Sequence, residues 1–390
     1  MAISPKGRRV RVNAPDSDIY ESEFNTTLSQ QRGNSLSYGF RENLYQPVTS
    51  IEITDLRELA GLRRQILRYG LPVGFECELE VEASSILASV APDARTNEYN
   101  LVVAKANRNI RNYLRQQSER KGWESFRYQH MVIHKGDPSL NRGGEEFVFS
   151  PMTPDFARAS GAYSVFEQTF STYLWMGHYG PNTGGHMHIP MGVFSNQQLV
   201  LYYKLIEFFA DARVFVKDHP NPELAARFIQ VIGQRKLGGW AKWIRLPSVQ
   251  AYDRILSGDG RRGINGSRNY IVQRSGHGTI EHRFPKGTYN AERAIMRSQF
   301  INAMYSFTYM IEQRAYTDRD AVKDIWDINK FLLHVNQDQR WPELKRYLRR
   351  NFSGINVVTS RGRNTTVSED IEAYYDLFVD MREHATERVS

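Results

Sequence analysis

The 390-residue chain contains a single cysteine, Cys77. One thiol excludes an internal disulfide and a cysteine-based zinc cluster. It fits a reducing compartment, so a cytoplasmic location is expected. No apolar run approaches the ~20 residues that a membrane-spanning helix needs. The start, MAISPKGRRVRV, has no apolar stretch behind its basic residues, so no secretory leader is expected. No internal repeat and no low-complexity tract is visible. The regular alternation of a doubly wound sheet is missing too, because strands and helices follow one another without a βαβ rhythm. That pattern argues for an α+β protein with an antiparallel sheet.

Charge is present in excess and is local. The net charge is +8. Six arginines and one lysine (Arg254, Arg261, Arg262, Arg268, Arg274, Arg283, Lys286) stand against Asp259 and Glu281 in one stretch. Lys6, Arg8, Arg9 and Arg11 add a second basic run with no acid in it. Such a balance suits nucleic acid or a phosphate-rich small ligand. The position of the larger patch, beside a strand that carries Glu281, favours the small ligand.

Residues 1–48 are polar and read as an extended or poorly ordered arm. The helical spacing of 54–70 stops at Gly70, and a second helix is expected over 97–121, stopped by Gly122. Strands are expected at 126–134 and 145–150, with a turn-rich loop between them. Ser195 and Gln198 have capping-box spacing and open a long helix with Leu199, Tyr202, Ile206 and Phe209 on one face. Residues 269–285 read as a hairpin, and the chain is mostly helical from about 291 to its end. This gives three expected regions: an arm over 1–48, a catalytic domain over 49–315 and a helical extension over 316–390.

Four short stretches carry the chemistry. In GFECELE (74–80), Glu76, Glu78 and Glu80 occupy alternate positions, roughly 6–7 Å apart on one strand face. Phe75, Cys77, Leu79 and Val81 fill the other face. Most E-x-E strands are solvated faces or cross-strand pairs with lysine. Here the apolar reverse face ties the strand to a core, and buried carboxylates in a row require positive charge over them. In EEFVFSP, alternation groups Glu146 with Val148 and Ser150, and Glu145 with Phe147 and Phe149. In GGHMHI, His186 and His188 share a face, and two imidazoles so spaced can reach one metal region. Structural histidines are about as common in such a pattern. Gly184 and Gly185 beside them imply a close approach to the backbone. In GTIEHRFPKGT, Thr279, Glu281 and Arg283 share one face, and Ile280, His282 and Phe284 the other. Glutamate beside arginine is most often a structural pair, yet arginine forks also suit phosphate oxygens. Carboxylates on one side and arginines on the other fit a metal–nucleoside-triphosphate complex.

In this order the four stretches resemble the carboxylate–amine ligase (amidoligase) family, relatives of glutamine synthetase and gamma-glutamylcysteine ligase. The matching residues are Gly74, Glu76 and Glu78; Asp137, Ser139 and Leu140; Gly144, Glu146, Ser150 and Pro151; His186 and His188; and Thr279, Glu281, Arg283, Gly287 and Thr288. The match covers about residues 70 to 310. The resemblance implies a curved antiparallel sheet of the glutamine-synthetase-like type with flanking helices. It implies ATP and Mg²⁺ as cofactors, with Mn²⁺ also suited if a histidine is a ligand. Carried over, Glu76, Glu78, Glu146, His186 or His188, and Glu281 would hold divalent ions. Arg283 would contact phosphate with Arg268 as helper, and Arg261 and Lys286 would join them. The reaction implied is phosphorylation of a carboxylate followed by amine attack to give an amide. The family usually has two residues between its second glutamate and Ser-Pro, whereas three stand here. A bulge would absorb the extra one, and Glu145 and Glu146 both remain candidate ligands.

The expected partners are carboxylate and amine substrates, small molecules or peptides. Neither a membrane nor a nucleic acid is expected. The arm and the C-terminal helices would serve assembly or a homo-oligomer. A structural protein on the same fold, and a phosphotransferase on a similar sheet, are the competing readings.

Overall fold

A computed structural model of the chain describes residues 2–3, 9–11, 50–51, 56–80, 92–121, 132–136, 140, 145–172, 183–210, 214–216, 228–234, 272–274, 279–352 and 357–359. The described part is α+β, with an open, largely antiparallel sheet and separate helical regions. The chain forms two compact units, each built from two stretches: residues 1–193 with 277–298, and 194–276 with 299–390. The expected divisions at 48 and 315 follow linear pattern alone. The chain leaves the first unit after residue 193 and returns to it for 277–298.

In the first unit, β1 (Ala2–Ile3), β2 (Arg9–Arg11) and β3 (Ser50–Ile51) pair antiparallel. The rest of the expected polar arm lies outside the described residues. Helix α1 (Leu56–Tyr69) ends at Gly70, whose φ of 94° is the left-handed conformation that stops a helix at glycine. Strand β4 (Val73–Leu79) follows and is buried along its whole length. It lies inside a six-stranded sheet of order β5-β6-β4-β7-β10-β9. The others are β5 (Val132–Gly136), β6 (Glu145–Met152), β7 (Gly185–Pro190) and β10 (Thr279–His282), with β9 (Val272–Arg274) drawn from the residues of the second unit. Strands β9 and β10 are neighbours, where the sequence reads as a hairpin.

The register shifts by one residue between Val73 and Phe75, which pair with Met152 and Phe149 of β6. The extra residue therefore falls at Ser150–Pro151. Proline has no N–H to give a ladder, so a bulge suits it.

One sheet face carries Phe75, Phe147 and Phe149, packed on Tyr163, Phe166 and Phe170. Phe149 lies 4.7 Å from Tyr163 and Phe147 5.1 Å from Phe166, centroid to centroid. Those rings come from α4 (Ala162–Thr172), which follows the short helix α3 (Pro154–Ser160). Thr153 caps α3 by accepting from the Phe156 amide, and left-handed Gly161 ends it. The long helix α2 (Pro92–Lys121) covers the same layer, and its Tyr99 ring sits 5.6 Å from Phe147.

The second unit contains α5 (Asn196–Ala210), β8 (Val214–Val216), α6 (Phe228–Gly233), a 3-10 segment (Arg319–Trp326), α8 (Ile328–Gln337), α9 (Pro342–Phe352) and β11 (Val357–Thr359). Helix α7 (Ala291–Ala315) gives its residues from Gln299 onward to this unit. Ser195 accepts from the Gln198 amide, as its capping spacing predicts. The Gln198 side chain also donates to the Tyr305 carbonyl, tying the start of α5 to α7. Leu199, Tyr202, Ile206 and Phe209 are buried, but so are Val200, Leu201, Tyr203 and Leu205. The helix is thus enclosed on more than the one face its spacing predicts.

Candidate active site

Directly opposed residues in an antiparallel sheet share a face. Glu76 opposes Val148 of β6 and His186 of β7; Glu78 opposes Glu146; and Glu281 of β10 opposes His188. Four strands therefore deliver Glu76, Glu78, Glu146, His186, His188 and Glu281 to one face, behind which lies the aromatic layer. The four glutamates are each 6–7% exposed. Glu80, just past the end of β4, is buried as well.

The groups touch. His186 Nδ1 lies 3.3 Å from Glu76 and 3.6 Å from Glu281, and its Nε2 lies 3.6 Å from Glu78. His188 Nε2 lies 3.4 Å from Glu76, and its Nδ1 is 3.1 Å from Thr279 Oγ1. Arg283 donates to Glu281 at 2.5 Å. Burial opposes ionisation of Glu76, but His188 and His186 outweigh it and hold the carboxyl well below its ordinary range. Glu281 is likewise held low against its burial by His188, His186 and Arg283. Burial would push the His188 pKa down, yet Glu76 and Glu281 carry it above its usual value.

The two glutamates of EEFVFSP part in register. Glu146 stands opposite Glu78, while Glu145 stands 3.7 Å from His134 on the aromatic side of β6. His282 also faces that side, where burial brings its pKa down to about 4 and its ring hydrogen-bonds the Met187 carbonyl. Arg261 and Arg268, and with them Asp137, Ser139 and Gly144, lie outside the described residues. Lys286 enters through its backbone: its carbonyl accepts from Arg297 at 2.6 Å, and it bridges to Gly184.

Gly184 and Gly185 mark a place of close approach. The approaching group is the chain itself. A Cβ at Gly185 would stand 2.8 Å from the Lys286 carbonyl oxygen, and one at Gly287 would stand 2.2 Å from the Glu78 carbonyl oxygen. This tight crossing lets the Gly184 N–H donate to the Glu78 carboxylate. The pairing of Thr279 with His188, and Arg297 as the anchor of the 286 carbonyl, are not legible in the sequence. Thr279 carries a sequence signal in its strand alternation with Glu281 and its place in the T-x-E-x-R match, whereas Arg297 carries none.

As the side chains stand, no group of three or more His, Cys, Asp or Glu among the described residues is placed to hold a metal ion. The donors contact one another instead. Their chemistry nonetheless suits a divalent cation: carboxylates with imidazole match Mg²⁺ or Mn²⁺. The Nε2 atoms of His186 and His188 are also buried without a hydrogen bond, each beside a carboxylate oxygen.

No family model matches the chain, and no curated protein matches it. Among solved structures it is similar to GmaS, determined without ligand, at 13% identity and a TM-score of 0.33, over 76% of this chain and 72% of that one. It is also similar to the complex of the prokaryotic ubiquitin-like protein Pup with its ligase PafA, at 10% identity and a TM-score of 0.23, over 82% of this chain and 65% of that one. No helix among the described residues is long and apolar enough to cross a membrane.

Proposed function

We propose that the chain is an ATP-dependent ligase that joins a carboxylate to an amine through an acyl phosphate. The observation that carries this reading is the single sheet face on which Glu76, Glu78, Glu146, Glu281, His186 and His188 converge, with Arg283 at its edge. Glu76, Glu78, Glu146 and Glu281 would hold one or more Mg²⁺ or Mn²⁺ ions, joined by His186 or His188. Such ions neutralise triphosphate charge and polarise the transferred phosphoryl group.

The protein's own groups then position the reactants. Arg283 is held by Glu281 and presents a guanidinium fork suited to phosphate oxygens. Thr279 fixes the ring of His188 through Nδ1, which leaves Nε2 turned toward Glu76. The Gly184 amide holds Glu78 from behind. Arg261, Arg268 and Lys286 would complete the phosphate side. The substrates would be a small-molecule or peptide carboxylate and an amine.

The test is ATP consumption with Mg²⁺ or Mn²⁺ against panels of amino acids and peptides, with mass spectrometry of the products. An amide product carrying the mass of both substrates less water, formed with ADP and phosphate, is expected. Absence of nucleotide binding in the presence of either metal, with Glu76→Gln indistinguishable from the parent protein, would sink the reading.

A further inference from the structure

Helix α2 presents a basic stripe that the carboxylate face cannot use. Its inner side, with Tyr99, Val102, Ala106 and Ile110, is buried. Asn107 locks it to the sheet edge, giving its amide to the Val132 carbonyl and accepting from the Val132 N–H, both at 2.9 Å. Tyr99 meets Phe147, on the opposite sheet face from Glu146. Sheet and helix therefore lie between the outer side of α2 and the carboxylates.

That outer side carries Lys105, Arg108, Arg111 and Arg115, all exposed. At about 100° per residue they fall within an arc of about 120°, along about 15 Å of helix axis. No acid occurs among the described exposed side chains of α2. Neighbours three apart, Lys105 with Arg108 and Arg108 with Arg111, repel one another, so the stripe works against the free helix. The positions are mid-helix, so compensation of a helix C-terminus does not explain them, as it does for Arg349 and Arg350 at the end of α9.

We infer that this stripe binds the phosphodiester backbone of a nucleic acid. Arginine dominates the stripe, and the remaining exposed side chains include Asn97, Asn112 and Gln116. Arginine with amides is the donor set used on phosphate and sugar oxygens. A membrane-surface helix would need aromatic or aliphatic residues on the opposite side left free to enter lipid, and here that side is the buried one. Recognition is by charge and carries no base code, so duplex DNA, duplex RNA and single strands share the chemistry.

The full chain is titrated, by fluorescence anisotropy, into labelled duplex DNA, duplex RNA and single-stranded DNA, over about 50 to 200 mM salt. Binding to at least one of these should weaken steeply with salt. Lys105→Gln/Arg108→Gln/Arg111→Gln should lose roughly tenfold or more in affinity, and its salt slope should fall by about 2–3. Arg108→Gln alone should lower the slope by about 1, a readout that needs only one exposed change. Arg346→Gln/Arg349→Gln/Arg350→Gln in α9 removes equal charge and should keep the parent slope. Circular dichroism and Tm should match in all variants. The inference is overturned if the parent chain binds none of the three at the lowest salt. It is overturned also if the α2 and α9 variants lose equally, or if polyglutamate or phosphatidylserine vesicles bind the stripe more tightly than nucleic acid.

Discussion

At the scale of single residues, Arg283 and Gly287 separate chemistry from construction. Arg283→Lys keeps the charge but loses the fork. If Arg283 opposes charge that builds up during phosphoryl transfer, the change should cost about 2–4 kcal/mol, or roughly 30- to 1,000-fold in turnover. The check is steady-state ATP consumption across a magnesium titration. Unchanged turnover would leave Arg283 as a structural partner of Glu281. Gly287→Ala tests the crossing beneath Glu78. Its Cβ would meet a backbone oxygen at 2.2 Å, which no side-chain rotation relieves. The cost should be about 1–3 kcal/mol, read as a lowered Tm in the absence of any ligand. Strand alternation puts Glu76 with Glu78, His186 with His188, and Glu281 with Thr279 on shared strand faces. It does not reveal the Lys286 crossing, because that contact joins residues 102 positions apart in sequence and involves only backbone.

At the scale of elements, strands were more legible than their partners. The period-2 patterns of β4, β7 and β10 follow from a sheet with one aromatic face and one polar face. Their order is a long-range property, and nothing local in β4 states that β6 and β7 flank it. The bulge at Ser150–Pro151 is an intermediate case. The extra residue was visible, but only pairing shows that it leaves Glu146 opposite Glu78. Phe149→Ala would empty the centre of the aromatic layer and should cost about 3–5 kcal/mol by denaturant unfolding. Helix α8 offers a pH test. Burial, with help from Arg340 and against Asp338, brings His334 down to about 4. Its ring is packed between Phe307 and Trp341. Between about pH 6.5 and 4 the unfolded chain binds a proton that the folded state refuses, so stability falls as pH falls through that window. The loss should be about 2–3 kcal/mol, and His334→Leu should flatten that part of the stability–pH curve. An unchanged slope in the variant would show that the packed ring is not its source.

At the scale of the whole molecule, every described residue of the candidate site belongs to one unit, although the chain spends residues 194–276 in the other before β10 completes the sheet. Linear reading places a single domain over 49–315 because helices and strands alternate through that span without a break in composition. By contact the first unit is built from two stretches, and β10 pairs with β7 from Thr279 back to Pro190, 89 positions earlier in the chain. This division makes a regional prediction. Metal with nucleotide should stabilise the unit that holds Glu76 and Glu281, by about 2.7 kcal/mol at 100 times the dissociation constant. Hydrogen exchange should slow in 73–80, 145–149, 185–190 and 279–288. The amides of α8 and α9, which belong to the other unit, should keep their rates. Equal slowing in α8 and α9 would mean that ligand is read by both units together. No slowing in the four strands, under conditions where nucleotide is shown to bind, would place the nucleotide away from the glutamate face and remove the support of the ligase reading.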